Sequence, residues 1–216
     1  VGVCAVVGNF DDAQTGVKKL FSDGTVRQEL ERRGYFFSSA NSINWGRVLP
    51  QIVYYISAYC DLIRDEKITQ GQAVNVCVPT GNFGNILAAY YAREMGLPID
   101  QFICASNSNN VLTDFLREGI YDRNRPFYNT MSPSMDILIS SNLERLLLAV
   151  TQDPEEVKRY MAQLSETGRY QVSDRIRDRL QKCFKGYFCD DKETQRTIRT
   201  MFDKYGYLID THTAVA

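Results

Sequence analysis

No charged side chain occurs between Lys67 and Arg93, and this span carries the plainest structural signal in the chain. An apolar, β-branched run, Val74-Asn75-Val76-Cys77-Val78, gives way to Pro79-Thr80-Gly81-Asn82-Phe83-Gly84-Asn85 and then to Ile86 through Met95, apolar at helical spacing and closed by Gly96 and Leu97-Pro98. Strand, glycine turn and helix in that order make the βα unit of a parallel sheet. The span is long enough to cross a bilayer. Gln70, Gln72, Asn75, Pro79, Asn82, Asn85 and three glycines deny it the continuous apolar surface that a membrane helix needs.

The same alternation extends along the chain. Val1 to Val7 reads as a strand, followed by Gly8-Asn9 and a helix with Val17, Leu20 and Phe21 on one face. Phe102-Ile103-Cys104-Ala105 is a further strand, and Tyr207-Leu208-Ile209 a last short one. Between Val48 and Ile63 apolar residues recur at helical spacing, with Pro50 marking a start or a kink. The expected fold is α/β, a three-layer, partly parallel sheet with helices on both faces. From Asp153 the texture changes. Asp153-Pro154-Glu155-Glu156 is a strong helix start, and helices are expected from Ser173 to Lys182 and from Asp191 to Lys204. Their interleaved charges read as a solvated surface. Residues 1–45 are expected to be the remainder of a smaller N-terminal-side subdomain. Residues 46–216 would then be the main α/β domain, with a helical insertion at about 151–204.

Composition removes several classes of function. Lys and Arg number 25 against 26 Asp and Glu, so no basic surface for nucleic acid is expected. The single histidine, His212, leaves no histidine pair for a metal and no histidine base in the middle of the chain. Six cysteines lie at spacings that form no zinc or iron–sulfur motif, so no metal is expected. Several sit in apolar runs, so they read as buried thiols of a reducing, cytoplasmic compartment. The N-terminus lacks the layout of a signal peptide.

Gly-Asn-Phe occurs twice, each time ahead of a helix. After Gly8-Asn9-Phe10 come Asp11 and Asp12, whose carboxylates would satisfy the helix's free N–H groups from within the chain and repel an external anion. After Gly81-Asn82-Phe83 comes Gly84-Asn85, with no acid between Glu66 and Glu94. Two glycines allow close approach of backbone to ligand, and Thr80, Asn82 and Asn85 offer neutral donors. This suits a phosphate monoester at a helix N-terminus, though an ordinary strand-to-helix turn needs glycine too. Neither the lysine of a P-loop nor the spacing of a dinucleotide fingerprint is present, so a small phosphorylated cofactor or substrate fits better.

Several blocks, in order, resemble the threonine synthases. They are Gly8 to Asp12, Asn41 to Tyr55, Val78-Pro79-Thr80-Gly81-Asn82-Phe83-Gly84-Asn85, Met95 to Pro98, and Ser132-Pro133-Ser134-Met135-Asp136-Ile137 with Ser140 to Leu146. The last is Asp210-Thr211-His212-Thr213-Ala214-Val215. The resemblance implies a pyridoxal-phosphate enzyme of fold type II, the tryptophan synthase β-subunit-like fold. Such enzymes convert O-phosphohomoserine and water to threonine and phosphate. By this resemblance Thr80, Gly81, Asn82, Phe83, Gly84 and Asn85 hold the cofactor phosphate. Thr213 lies near the pyridine nitrogen, with Thr211 as the alternative because the family has proline at that place. Asn41, Ser42, Asn44 and Arg47 are the expected contacts to substrate, with Asn44 as a helix N-cap and Arg47 as a surface residue the alternative. Tyr54, Tyr55, Tyr90 and Tyr91 follow helical spacing and are expected in the core.

Chemistry on pyridoxal phosphate needs a lysine amine. In the family it lies in a Phe-Lys-Asp motif upstream of these blocks, and none of the chain's eight lysines sits in such a motif. No catalytic residue is therefore expected. The chain is read as an inactive piece of a threonine synthase, incomplete at the N-terminus, with uncovered apolar faces and partial disorder or association near residues 1–45. The alternatives are a threonine synthase-like phospholyase or a non-catalytic phosphate-ligand-binding or interaction domain. Oligomeric state is left open.

Overall fold

The computed structural model describes residues 2–8, 10–39 and 44–216, with Phe10 and Asp11 described through the backbone alone. The chain forms two compact units, Val1–Asn41 and Ser42–Ala216. In the first unit, α1 (Phe10–Ser22) and α2 (Gly24–Arg32) are joined at Asp23. The Asp23 carboxylate accepts from Thr25 N at 2.8 Å and Val26 N at 3.2 Å and so starts α2. Phe21 and Phe37 stack at 4.9 Å between ring centres. The expected strand at the N-terminus is not formed: residues 2–6 have no regular secondary structure. A β-branched run becomes a strand only where a neighbour takes its backbone hydrogen bonds, and none does so among the described residues.

The second unit begins with α3 (Trp45–Val48), a 3-10 turn at Leu49–Gln51 and α4 (Ile52–Arg64), so Pro50 does break the helix. There follow β1 (Val74–Pro79), α5 (Gly84–Glu94), β2 (Ile99–Ser106), α6 (Val111–Glu118), β3 (Ile120–Asp122) and α7 (Leu143–Thr151). The chain ends with α8 (Pro154–Thr167), β4 (Arg169–Gln171), α9 (Asp174–Gln181), β5 (Phe184–Phe188), α10 (Asp191–Tyr205) and α11 (Thr211–Val215). Asp153 caps α8 by accepting from Glu155 N at 3.0 Å and Glu156 N at 3.2 Å, and Gly206 ends α10 at φ 66°. The 151–204 stretch is not wholly helical. It contains β4, antiparallel to β3, and β5, which completes a parallel sheet of order β1-β2-β5. Tyr207 to Ile209 is irregular chain, not a strand, and Tyr207 and Leu208 are exposed.

The core lies against one face of the sheet. Ile86, Leu87, Ala88, Ala89 and Ala92 of α5 are fully buried against it, the alanines letting helix and strands approach closely. Phe102 and Phe184 stack across β2 and β5 at 4.9 Å, and α6 crosses so near β5 that a Cβ on Gly186 would lie 2.8 Å from Thr113 Cα. Tyr55, Tyr90 and Tyr91 pack against this core, while Tyr54 is exposed. On the second face Ala105, Met135 and Val215 of α11 meet near the carboxyl ends of the strands. On the same face Cys77 of β1 and Tyr187, paired with Ala105 from β5, are exposed. The thiols also depart from expectation: Cys104 is buried and Cys183 and Cys189 half-buried, but Cys4, Cys60 and Cys77 are exposed, and all six are free.

Candidate functional site

The carboxyl ends of parallel strands are where ligands bind in open α/β sheets, and here β1 ends in the glycine turn. Pro79 has no N–H to continue the ladder. Thr80 then closes the strand, its N–H donating to Ala105 O at 2.8 Å and its hydroxyl to Val78 O at 2.7 Å. Phe83 takes a left-handed conformation, φ 63° and ψ 5°, costly for a side chain of its size. Its ring is 1% exposed and packs 5.8 Å from that of Phe184, which holds the turn in place.

The N–H and C=O groups of the turn meet different fates. Among the described residues, the N–H groups of Gly81, Asn82, Phe83, Gly84, Asn85 and Ile86 meet no acceptor. The carbonyls point the other way: Ser140 Oγ donates to Gly81 O at 2.9 Å, and Asn142 donates to Asn82 O from its backbone N at 3.1 Å and its Nδ2 at 2.9 Å. In front of the N–H groups is a cavity of about 260 Å³, lined by residues 78–86 with Gln51 and Ser134. α5 begins without a capping side chain or an acid in its first turn. Its positive dipole end therefore faces the cavity uncompensated.

The side chains expected as donors divide. The Thr80 hydroxyl is directed to Val78, and Asn85 Nδ2 donates to Gln51 Oε1 at 3.0 Å. Tyr55 Oη donates to Asn85 Oδ1 at 2.5 Å, and burial pushes the Tyr55 phenol well above its ordinary range, so it stays a donor. Asn85 thus faces the cavity through its backbone while its amide is clamped by Gln51 of the 3-10 turn and Tyr55 of α4. Asn82 differs, since its buried Oδ1 has no partner. A half-turn of that amide presents its NH2 instead, a donor to an anion. These features fit a phosphate group: unpaired N–H donors, an unused amide, a helix dipole and no carboxylate in the turn.

The neighbouring loop was not assigned a role from sequence. Gly81 is pressed onto it, Ser134 O lying 2.7 Å from where a Gly81 Cβ would sit. The loop is held by buried Asp136, which accepts from Asn107 Nδ2 at 2.7 Å, Asn109 Nδ2 at 3.1 Å, Thr130 Oγ1 at 2.7 Å and Thr130 N at 3.0 Å. Ser134 N donates to His212 Nε2 at 3.2 Å, and His212 Nδ1 meets Asp210 Oδ1 at 2.9 Å. A neutral ring with its proton on Nδ1 satisfies both contacts.

The remaining expected residues are not gathered in the cavity. Asn41 and Ser42 lie outside the described residues. Asn44 caps α3, its Oδ1 accepting from Gly46 N at 2.9 Å, and Arg47 is exposed within that helix. Thr213 is exposed on α11 and Thr211 half-buried, and neither lines the cavity. All eight lysines are exposed, and none lines it. Gln51, Tyr55, Ser134, Ser140 and Asn142 are neighbours of the turn that sequence reasoning missed. The matching blocks around 41–55 and 132–146 held the signal, but not the contacts.

No family model matches the chain. It is 48% identical over 214 residues to threonine synthase-like 1 of Macaca fascicularis, covering 98% of this chain and 29% of that protein. It is 40% identical to the threonine synthase of Eremothecium gossypii, covering 100% of this chain and 43% of that enzyme. A crystal structure of pyridoxal-phosphate-bound threonine synthase from Brucella melitensis superposes with a TM-score of 0.84 at 40% identity, over 98% of this chain and 43% of that one. The chain therefore spans less than half the length of these relatives. In sequence along nearly all its length, and in its fold type II architecture, it belongs with the threonine synthases.

Proposed function

We propose that this chain supplies the phosphate-holding part of a pyridoxal-phosphate enzyme of the threonine synthase kind, acting on O-phosphohomoserine and water to give threonine and phosphate in a reducing, cytoplasmic compartment. The observation that carries the reading is the set of unpaired N–H groups from Gly81 to Ile86 at an uncapped, acid-free helix start. When bound, pyridoxal phosphate supplies an electron sink for carbanion chemistry. The chain's own part is to hold the phosphate on the N–H groups of Gly81 to Asn85, with Asn82 as an added donor. Tyr55 and Gln51 keep Asn85 from turning inward. The substrate contacts are proposed from Asn41, Ser42, Asn44 and Arg47, and the ring-nitrogen hydroxyl from Thr213 or Thr211. The amine that the chemistry requires is proposed to come from a lysine outside these residues, so that the chain alone is inactive.

Titration of the chain with pyridoxal phosphate and with inorganic phosphate, followed by amide NMR, tests the reading. Shifts concentrated at residues 81–86 are expected, and an undisturbed turn would refute it. The second reading is a threonine synthase-like phospholyase, and the products formed by the whole protein separate it from the first. Fed O-phosphohomoserine, the whole protein would then yield 2-oxobutyrate, ammonia and phosphate in place of threonine.

A further inference from the structure

We propose that Ser140 and Asn142 are positioning residues for the anion cup: by holding the carbonyls of Gly81 and Asn82 outward they aim the N–H groups of Asn82 and Phe83 at the ligand. The proposal rests on the phosphate reading above. A trans peptide is planar, so the C=O of one residue and the N–H of the next point in opposite directions, and no cis bond occurs among the described residues. Pinning Gly81 O therefore fixes the direction of the Asn82 N–H, and pinning Asn82 O fixes that of Phe83. Such fixing is needed because Gly81 has no Cβ to resist a peptide flip.

The pins are themselves rigid. Asn142 is fully buried and Ser140 is 8% exposed. Ser140 N donates to Tyr121 Oη at 2.8 Å, and that hydroxyl donates to Leu138 O at 3.0 Å. Tyr121 is anchored in the core, its ring stacked on Tyr170 at 5.3 Å. A continuous line of contacts thus runs from the aromatic core through the 138–142 turn to the backbone of the cup. Donation to a carbonyl also polarises its peptide, making the N–H at the other end a better donor to an anion.

The test uses Ser140→Ala, Ser140→Thr and Asn142→Ala in this chain, read by amide NMR with inorganic phosphate and with pyridoxal phosphate as probes. Thr194→Ala is the control, since Thr194 is a buried hydroxyl on α10 bonded to Asp190 O. Ser140→Ala and Asn142→Ala should each move the Asn82 and Phe83 amide resonances before ligand is added and weaken phosphate about tenfold. Ser140→Thr should restore both, and Thr194→Ala should alter neither. Should Asn142→Ala not fold, the serine pair decides alone. Folded variants that bind phosphate as the parent chain does would overturn the positioning role while leaving the cup intact. A parent chain whose 81–86 amides ignore phosphate would overturn the cup and this role with it.

Discussion

The two Gly-Asn-Phe turns begin alike and end in different chemistry. At the first, Asp12 folds back over the backbone, its Oδ2 lying 2.6 Å from where a Cβ on Gly8 would sit. At the second, residues 84 and 85 are Gly and Asn, and the N–H groups are left open to the cavity. Four other helix starts are closed by carboxylates. Asp23, Asp153, Asp190 and Asp210 each accept the first N–H groups of α2, α8, α10 and α11. A helix closed by its own carboxylate gains local stability, and one left open keeps its donors for a ligand. What separates the two turns in sequence is the pair of side chains that follows Phe, two aspartates in one and Gly84-Asn85 in the other.

Converting the second turn into the first should have the largest effect. Gly84→Asp with Asn85→Asp places two carboxylates beside the bound anion and lets them take its donors. Affinity for pyridoxal phosphate or inorganic phosphate should fall about a hundredfold or more. Calorimetric titration checks this, and an unchanged affinity would mean that the loop is only a turn. Next is Gly81→Ala, which drives a methyl group into Ser134 O at 2.7 Å and Met135 Cα at 3.3 Å. Overpacking of this kind costs about 1–3 kcal/mol, read as a lower urea midpoint at unchanged slope. A variant as stable as the parent would show that the loop yields freely. Tyr55→Phe should cost less, about 1 kcal/mol, by leaving Asn85 Oδ1 without its donor. It should weaken phosphate only a few-fold, because Asn85 serves the cavity through its backbone. A loss as large as that of the double variant would instead give the Asn85 amide a direct role.

How far this contrast could be read from sequence depends on whether the relevant partner is local. The strand, turn and helix around Gly81, the Asp153 cap and the Gly206 stop each follow from neighbours a few residues away, and each is found. The absence of acid after Phe83 is also plain in the sequence. The clamp on Asn85 is not, because Tyr55 follows the apolar helical spacing and shows its polar end only in the fold. Nor is the pinning of Gly81 and Asn82 by residues about sixty positions away. Strands suffer most. Val1 to Val7 has the composition of a strand, but residues 2–7 find no strand partner among the described residues, whereas Phe184 to Phe188, interrupted by lysine and glycine, is one because β2 lies beside it.

The smallest effect expected lies at α11, where Asp210 does for a helix start what no side chain does for α5. Its Oδ1 accepts from His212 N at 2.8 Å, His212 Nδ1 at 2.9 Å and Thr213 N at 3.4 Å. These bonds, that from the His212 ring foremost, hold the Asp210 carboxyl below its ordinary value of 3.8. A carboxylate with a lowered native pKa contributes its stability in full above the unfolded value and loses it as pH falls through the native one. The contribution is therefore present at neutral pH and fades below about pH 3.8. Asp210 is exposed, so the change should be local: a carboxyl titration accompanied by movement of the His212 and Thr213 amides, with the Gly84 to Ile86 amides silent because their turn has no carboxylate. Asp210→Asn should abolish the transition at α11. Amides of α5 that move through the same range would show that an acid does reach the open turn, and would close the gap between the two kinds of helix start.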